Sequence, residues 1–341
     1  MRKKLEYNIL LTSVGRRGYL VEYFKHALDG KGLVFASNSE FTSAFQHADG
    51  YTISPLIYQE GYINYIINFC KKNDIRLVIS LFDIDLYILA ENKHLFEKEG
   101  ITVIVSDKEF IKICNDKWLT YNFLKERNIK TPKTYLSIDE AKHDISIGNL
   151  NYPLIIKPRW GMGSLEIFTA DNEVELEIFY EKTKRNIQKS YLKYESNQDA
   201  LNSVIIQQKI TGQEYGCDII NDLNGEYQNT IIRKKLAMRA GETDSAEIVD
   251  NSKILDMTKK LSTYSKHISN LDIDILEQDG EYYLLEMNAR FGGGYPFSHI
   301  AGVNLPEAIL LWAQNKPVEK EVLQAKVGVI GYKDLIIIKR A

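Results

Sequence analysis

Apolar and polar positions follow two different periods along this chain. Residues 7–13 (YNILLTS) form a short apolar run that reads as a buried strand. From Gly18 onward, Leu20, Val21, Phe24, Ala27 and Leu28 recur at helical spacing. A strand at 32–37 (GLVFAS) and a helix at 61–72, with Ile63, Ile66, Ile67 and Cys70 on its inward face, repeat the unit. Strands at 76–80 and 101–105 extend it. Strands alternating with helices predict a parallel sheet covered on both faces, so residues 1–110 are expected to form a doubly wound α/β domain.

The pattern changes after Asp116. A helix at 117–127 leads through Pro132 to a strand at 153–157 (PLIIK), a glycine-bearing loop at 159–164 (RWGMGS) and a polar, helically spaced stretch over 173–200. Strands then prevail at 203–208, 215–221, 226–233 and as a pair within 271–288. A helix from Pro306 (PEAILLWAQ) and a last apolar strand at 334–338 (DLIII) are expected to close the chain.

Composition narrows the class. The 341 residues carry 43 Lys and Arg against 46 Asp and Glu, a formal net charge of −3. No global basic field draws such a chain to nucleic acid or an anionic membrane. The basic Arg2–Lys4 stretch reads as a solvated terminus. No apolar stretch approaches the ~20 residues of a membrane span. Cys70, Cys114 and Cys217 stand far apart with no CxxC pair, which suits a reducing compartment, and the expected location is cytoplasmic.

The segment with most chemistry is 271–290, LDIDILEQDGEYYLLEMNAR. Residues two apart on a strand share a face, so Glu286 projects with Asn288, and Asp272 with Asp274. Asp279-Gly280 marks a hairpin. A simple two-residue turn would pair Asp274 with Leu285 and send Glu286 to the opposite face. The expectation is therefore a three-residue connection with Gly280 at a bulge, which puts Asp274, Glu286 and Asn288 together. Two carboxylates and an amide oxygen make a hard-oxygen set suited to Mg²⁺. A solvated acidic strand face is the plain alternative.

Two further segments carry candidate chemistry. Lys157 ends an apolar strand just before Gly161-Met162-Gly163-Ser164, so a point charge sits beside backbone N–H groups able to approach phosphate. Glycine pairs also mark ordinary turns, and no GxxxxGK[ST] occurs. In VIIQQKITGQEY (204–215), the backbone at Lys209 and Ile210 is suited to an adenine edge, and Glu214 to ribose hydroxyls. Arg233 and Lys235 share a strand face downstream.

Order and spacing of Asp116-Lys117, IIKPRWGMGS, QQKITGQEY and above all EMNARFGGGYPFSHIAGVNLPEA resemble the ATP-grasp superfamily. The resemblance is to the ligase halves of the carbamoyl-phosphate synthase large subunit and their stand-alone relatives, and it covers nearly the whole chain. It implies a pre-ATP-grasp domain at 1–110, a first grasp subdomain with flap at 111–200, and a second with the metal site at 201–341. Lys117 and Lys157 would contact the ATP phosphates, with Gly161, Gly163 and Ser164 on the flap. Lys209 and Ile210 would hold adenine, with Gln207 near its amino group and Glu214 on ribose. Asp274, Glu286 and Asn288 would bind two Mg²⁺ ions (or Mn²⁺). Arg290 would steady the transferred phosphoryl group, with Arg233 as helper. The implied activity joins a small-molecule carboxylate to an amine through an acyl-phosphate, and homodimers are common in the family.

The chain departs from that family where a second arginine is expected, at Gly293. The run Gly292-Gly293-Gly294 is expected to open space for an organic acid such as an amino acid, in preference to bicarbonate. Phosphorylation of bicarbonate or carbamate is the alternative, and a non-catalytic ATP sensor is another. The SVGRRG run at 13–18 is an incomplete dinucleotide fingerprint, and Asn38 replaces the acidic residue that would follow the second strand, which discourages an NAD-dependent oxidoreductase. Asp83 and Asp85 stand where ligands dock on such a sheet and are candidates for an amine, with helix capping the alternative. His299 is read as structural.

Overall fold

The computed structural model describes residues 7–161 and 165–339. The expected flap residues Gly163 and Ser164, and the basic stretch at 2–4, lie outside them. The first domain comprises β1 (Asn8–Thr12), α1 (Gly18–Leu28), β2 (Val34–Asn38), β3 (Gly50–Ile53), α2 (Tyr62–Lys72), β4 (Ile75–Ser80), α3 (Asp83–Lys98) and β5 (Thr102–Ile104). Its sheet is wholly parallel in the order β3-β2-β1-β4-β5, the doubly wound arrangement expected from the alternation. Leu10, Leu11, Val78 and Ile79 of the central strands are buried because helices cover both faces.

Two helices, α4 (Lys108–Asn115) and α5 (Lys117–Glu126), lead out of this domain. They are followed by β6 (Thr134–Tyr135), α6 (Ile138–Ser146), β7 (Leu154–Pro158), β8 (Phe168–Ala170), α7 (Glu173–Lys189), α8 (Lys193–Ser196) and β9 (Val204–Gln208). The four strands form an antiparallel sheet ordered β6-β9-β7-β8. The strand at 204–208, assigned from sequence to the second subdomain, thus pairs with β7 of the first. The polar stretch 173–200 is one helix only to Lys189, where Ser190 turns extended.

The rest builds a second sheet from β10 (Gln213–Asn221), β11 (Tyr227–Arg239), β12 (Glu242–Val249), α9 (Ser252–Ser265), β13 (Ser269–Gln278) and β14 (Glu281–Asn288). Helices α10 (Tyr295–Ile300) and α11 (Leu305–Ala313) and strand β15 (Ile330–Tyr332) complete it. Its order is β14-β13-β10-β11-β12-β15. The edge strand pairs Ser245–Glu247 of β12 with residues 330–332. The strand expected at 334–338 does not form: Leu335, Ile336 and Ile337 are 77%, 83% and 99% exposed. An apolar run becomes a strand only where a sheet edge awaits it, and the paired stretch of β12 is already taken. No helix among the described residues is long and apolar enough to cross a membrane.

Core packing divides the molecule differently from the chain order. Two buried clusters each join the parallel domain to the six-stranded sheet, one uniting Leu10 and Val78 with Cys217, Ile273 and Met287. The four-stranded sheet has a separate core around Leu154, Ile156, Leu176 and Ile206. Two of the three units therefore share continuous apolar packing, and the third is packed as a unit of its own.

His267 lies wholly buried beneath that shared core, with Nε2 donating to the Ile219 carbonyl (3.0 Å) and Nδ1 accepting from Ser265 Oγ (2.8 Å). Burial pushes its pKa down to about 4. The unfolded chain therefore binds more protons between pH 6.5 and 4, and stability falls as pH falls through that window. Between pH 7 and 5 the loss is expected to be about 2 kcal/mol. Denaturant titrations of wild type and His267→Gln at both pH values check it: the variant lacks this part of the acid sensitivity, and equal slopes would refute the assignment.

Candidate active site

The β13–β14 hairpin turns through two residues, Asp279 (φ 55°) and Gly280 (φ 77°), with Gln278 opposite Glu281. The three-residue connection expected from sequence is absent, because Asp-Gly already supplies the two positive φ values such a turn needs. The bulge lies farther along the ladder. Ile275 faces Leu284, Leu285 is the extra residue, and Asp274 then faces Glu286 while Asp272 faces Asn288. The expected pairing forms, through a mid-strand bulge that re-aims the end of β14.

That end opens into a cavity lined by Glu286, Asn288 and Arg290 on one side, Lys117 and Gly161 on the other, and Asp83 at the parallel domain. Lys117 opens α5 and donates to the Gly161 carbonyl at 2.5 Å. Its position is fixed by a residue whose role the sequence did not betray. Arg159 grips Asp116 through two hydrogen bonds of 2.8 Å, and Asp116 caps α5 by accepting from the N–H groups of Trp118 and Leu119. Burial lowers the pKa of Lys117 against the pull of Glu286, Asp116 and Asp83. The Lys157 ammonium, on β7, has no hydrogen-bond partner among the described residues, and burial followed by repulsion from Lys117 brings it down to about 8, with Glu286 opposing.

The side chains of Glu286 and Asn288 are half-buried and likewise accept no hydrogen bond from any described residue. The Lys117 ammonium, the Arg290 guanidinium and two free hard-oxygen side chains therefore meet at one cavity, with Lys157 near enough to Lys117 and Glu286 to feel their charge. That donor set fits a polyphosphate with Mg²⁺, which is commonly held by one or two carboxylates plus phosphate oxygens.

Behind the cavity runs a polar stripe across the six-stranded sheet. Arg233 and Lys235 of β11 reach over Gly216 of β10 to Asp272 and Asp274 of β13. A Cβ on Gly216 would lie 3.2 Å from the Arg233 guanidinium and 3.4 Å from the Lys235 chain, so glycine keeps the crossing open. Arg233 is 2% exposed and pairs with Asp218 and, at 3.0 Å, with Asp272. It does not line the cavity that it was expected to serve. It holds Asp272, which in turn lies 3.5 Å from Arg290, while Arg290 sits on Asp83 Oδ2 through Nε and Nη2 (3.1 and 2.9 Å). Burial disfavours the charge on Arg290, and Asp83 and Asp272 more than restore it. Burial also raises the Asp272 carboxyl to about 7, with Arg233 and Arg290 pulling the other way.

The glycine run has a different use from the open space expected of it. A Cβ on Gly292 would stand 2.1 Å from Asp272 Cγ, and one on Gly294 2.7 Å from Arg233 Nε. Both glycines let the loop lie directly on the buried ion pairs. Gly293 alone faces room, its nearest neighbour being Lys333 Nζ at 3.9 Å.

At the other end of the expected nucleotide site, Gln207 is buried and donates to Thr134 Oγ1 at 2.9 Å. Ile210 is buried too, and the backbone groups of Lys209 and Ile210 make no hydrogen bond within the described residues. Glu214 and Asp274 each bind Lys235, at 2.5 and 2.6 Å. One oxygen of each is thus committed, and neither lines the cavity. The two acids of the parallel domain separate cleanly. Asp85 is fully buried and satisfied by the hydroxyls of Thr12, Ser13, Ser80 and Tyr62, whereas Asp83 meets Arg290 at the cavity. His299 stacks on Tyr23 with centroids 3.6 Å apart, a packing role.

Comparison with known proteins agrees with this architecture. A family model described as ATP-grasp domain matches residues 114–294, over half of the chain, and one described as PylC-like, N-terminal domain matches residues 9–104. The biotin carboxylase domain of Hydrogenobacter thermophilus 2-oxoglutarate carboxylase, in complex with MgADP, ADP and bicarbonate, is similar in structure. The match covers 94% of this chain and 73% of that one, at 17% identity and a TM-score of 0.73. L-amino acid ligase from Bacillus licheniformis matches over 97% and 82%, with 17% identity and a TM-score of 0.71. N5-carboxyaminoimidazole synthetase from Staphylococcus aureus matches over 93% and 80%, with 14% identity and a TM-score of 0.68. At such identities the likeness is one of fold.

Proposed function

Because this chain belongs to the ATP-grasp family, we propose that it is a ligase that activates a small organic carboxylate as an acyl-phosphate and joins it to an amine. ATP and Mg²⁺ are its cofactors, as for the family, and its substrates are small molecules. The observation that carries the reading is the meeting of Lys117, Glu286, Asn288 and Arg290 at one cavity, with Glu286 and Asn288 left unbonded.

Each side chain has a task in phosphoryl transfer, where catalysis is mostly positioning and neutralisation of spread negative charge. Lys117 and Lys157 attract and orient the phosphates. Lys157 is held near 8 by burial, so a bound phosphate is expected to raise its pKa again and hold it in the charged form. Glu286 and Asn288 would hold the metal, with Asp274, opposite Glu286 in the ladder, the candidate ligand for a second ion. Mg²⁺ supplies charge neutralisation at the phosphate oxygens. Arg290, fixed on Asp83 and Asp272, presents its guanidinium to the transferred phosphoryl group. The backbone of Lys209 and Ile210 takes the adenine edge, with Gln207 beside it and Glu214 near ribose.

Phosphate release from MgATP, followed over amino acids, dipeptides, other organic acids and bicarbonate, singly and in pairs, tests the proposal. Release that requires one acid and one amine is the expected result. Bicarbonate-dependent release would replace it with carbamoyl-type chemistry, and tight ATP binding with no stimulation by any pair would favour a sensor.

A further inference from the structure

Arg17, in the SVGRRG loop, has no part in the chemistry above, yet the chain positions it with care. Ser13 Oγ donates to Asp85 (3.1 Å), Gly15 N to Asn38 Oδ1 (3.3 Å) and Arg17 N to the Val14 carbonyl (2.9 Å), while Thr42 Oγ1 donates to the Gly15 carbonyl. These contacts fix where Arg17 leaves the backbone. Its guanidinium donates to the Leu81 carbonyl and contacts the Tyr19 side chain. Arg290 reaches the same turn from the six-stranded sheet, seated on Asp83 two residues farther on. Two guanidiniums from different domains thus flank one short turn.

Arg159, Arg233 and Arg290 each hold at least one carboxylate in an ion pair. Arg17 is half-buried and has no carboxylate within ion-pair distance among the described residues. Burial and the nearby Arg290 lower its pKa, with Asp83 and Asp272 opposing at longer range. A partly desolvated guanidinium without a carboxylate is costly unless something else supplies one, and its planar fork matches a carboxylate in two hydrogen bonds. Glu242 ties this corner to the glycine run, pairing with Arg16 at 3.6 Å and with Lys333 at 3.4 Å, where Gly293 leaves room.

We propose that Arg17 and Arg290 form a carboxylate-recognition site across the junction of the parallel domain and the six-stranded sheet. Arg17 is the specificity-determining residue for the acid substrate, a small organic carboxylate. This rests on the ligase reading above and names the residue that selects its acid.

Phenylglyoxal modification of the full chain in MgADP, with Arg16 and Arg17 resolved by tandem mass spectrometry, tests it. Free amino acids and their carboxamides serve as probes. A free acid is expected to slow modification of Arg17 by about tenfold and its carboxamide not at all. Arg16, with its side chain 87% exposed, is the control that neither affects. Arg17→Met is expected to raise the KM for the acid by about thirtyfold, with kcat and the KM for ATP within about threefold, and Arg17→Lys to recover part of the loss. Equal modification of Arg17 with every acid and amide, or an unchanged acid KM in Arg17→Met, would overturn the site. Acid protection of Arg17 without phosphate release by any pair would instead refute the ligase reading and leave the site standing.

Discussion

Glu286→Gln is expected to reduce phosphate release from MgATP by about a thousandfold while leaving the fold intact. The substitution keeps the shape of the side chain and removes only its charge and its strength as a metal ligand. Glu286 accepts no hydrogen bond from a described residue, so no internal partner is orphaned and thermal stability should stay within about 1 kcal/mol of wild type. The carboxylate also opposes the repulsion between Lys117 and Lys157. Without it the two ammonium groups face the nucleotide with less negative charge beside them, so binding of ATP in the absence of metal should be retained or tightened. Turnover and binding therefore move apart, and paired measurements of kcat and metal-free ATP affinity read both. Turnover within about tenfold of wild type would remove Glu286 from the metal site.

Arg233→Leu is expected to fail for the opposite reason, by losing the fold before the chemistry. Arg233 is 2% exposed and neutralises Asp218, which is fully buried, together with Asp272. Removing one partner of such a pair leaves an uncompensated buried charge at a cost of about 3–5 kcal/mol. In a chain of 341 residues that corresponds to a fall of roughly 4–7 °C in Tm. Ser298 and Asn270 still donate to Asp218 at 2.6 and 3.0 Å, which places the expectation at the lower half of that range. Asp272 would also lose its stronger partner, so Arg290 would share its remaining support with a loosened carboxylate. Calorimetric unfolding of the variant decides: a loss below about 1 kcal/mol would mean that the Arg233 ion pairs do not support the fold.

The sequence by itself determined the fold class and the family. Helical periods alternating with short apolar runs give the parallel domain, because a strand buried on both faces is apolar throughout while an amphipathic helix is apolar on one stripe. That Glu286 projects with Asn288 was legible because positions two apart on a strand share a face whatever the strand packs against, whereas Lys117 and Arg290 were expected only from the family resemblance. The same rule set Arg233 with Lys235 and Asp272 with Asp274, although it could not say that the two pairs bind each other across Gly216. Tertiary structure alone decided that, since the match depends on which strands become neighbours and β10 intervenes between β11 and β13. It also decided that Arg233 is a buried prop, that Gly292 and Gly294 lie upon ion pairs, and that Asp83 reaches Arg290 while Asp85 is sealed among hydroxyls. The bulge at Leu285 belongs here too, because a ladder can absorb one extra residue wherever packing is served, and local sequence does not mark the place. Each of these rests on contacts between residues tens to hundreds of positions apart, where charge and space are set by the neighbour rather than by the chain.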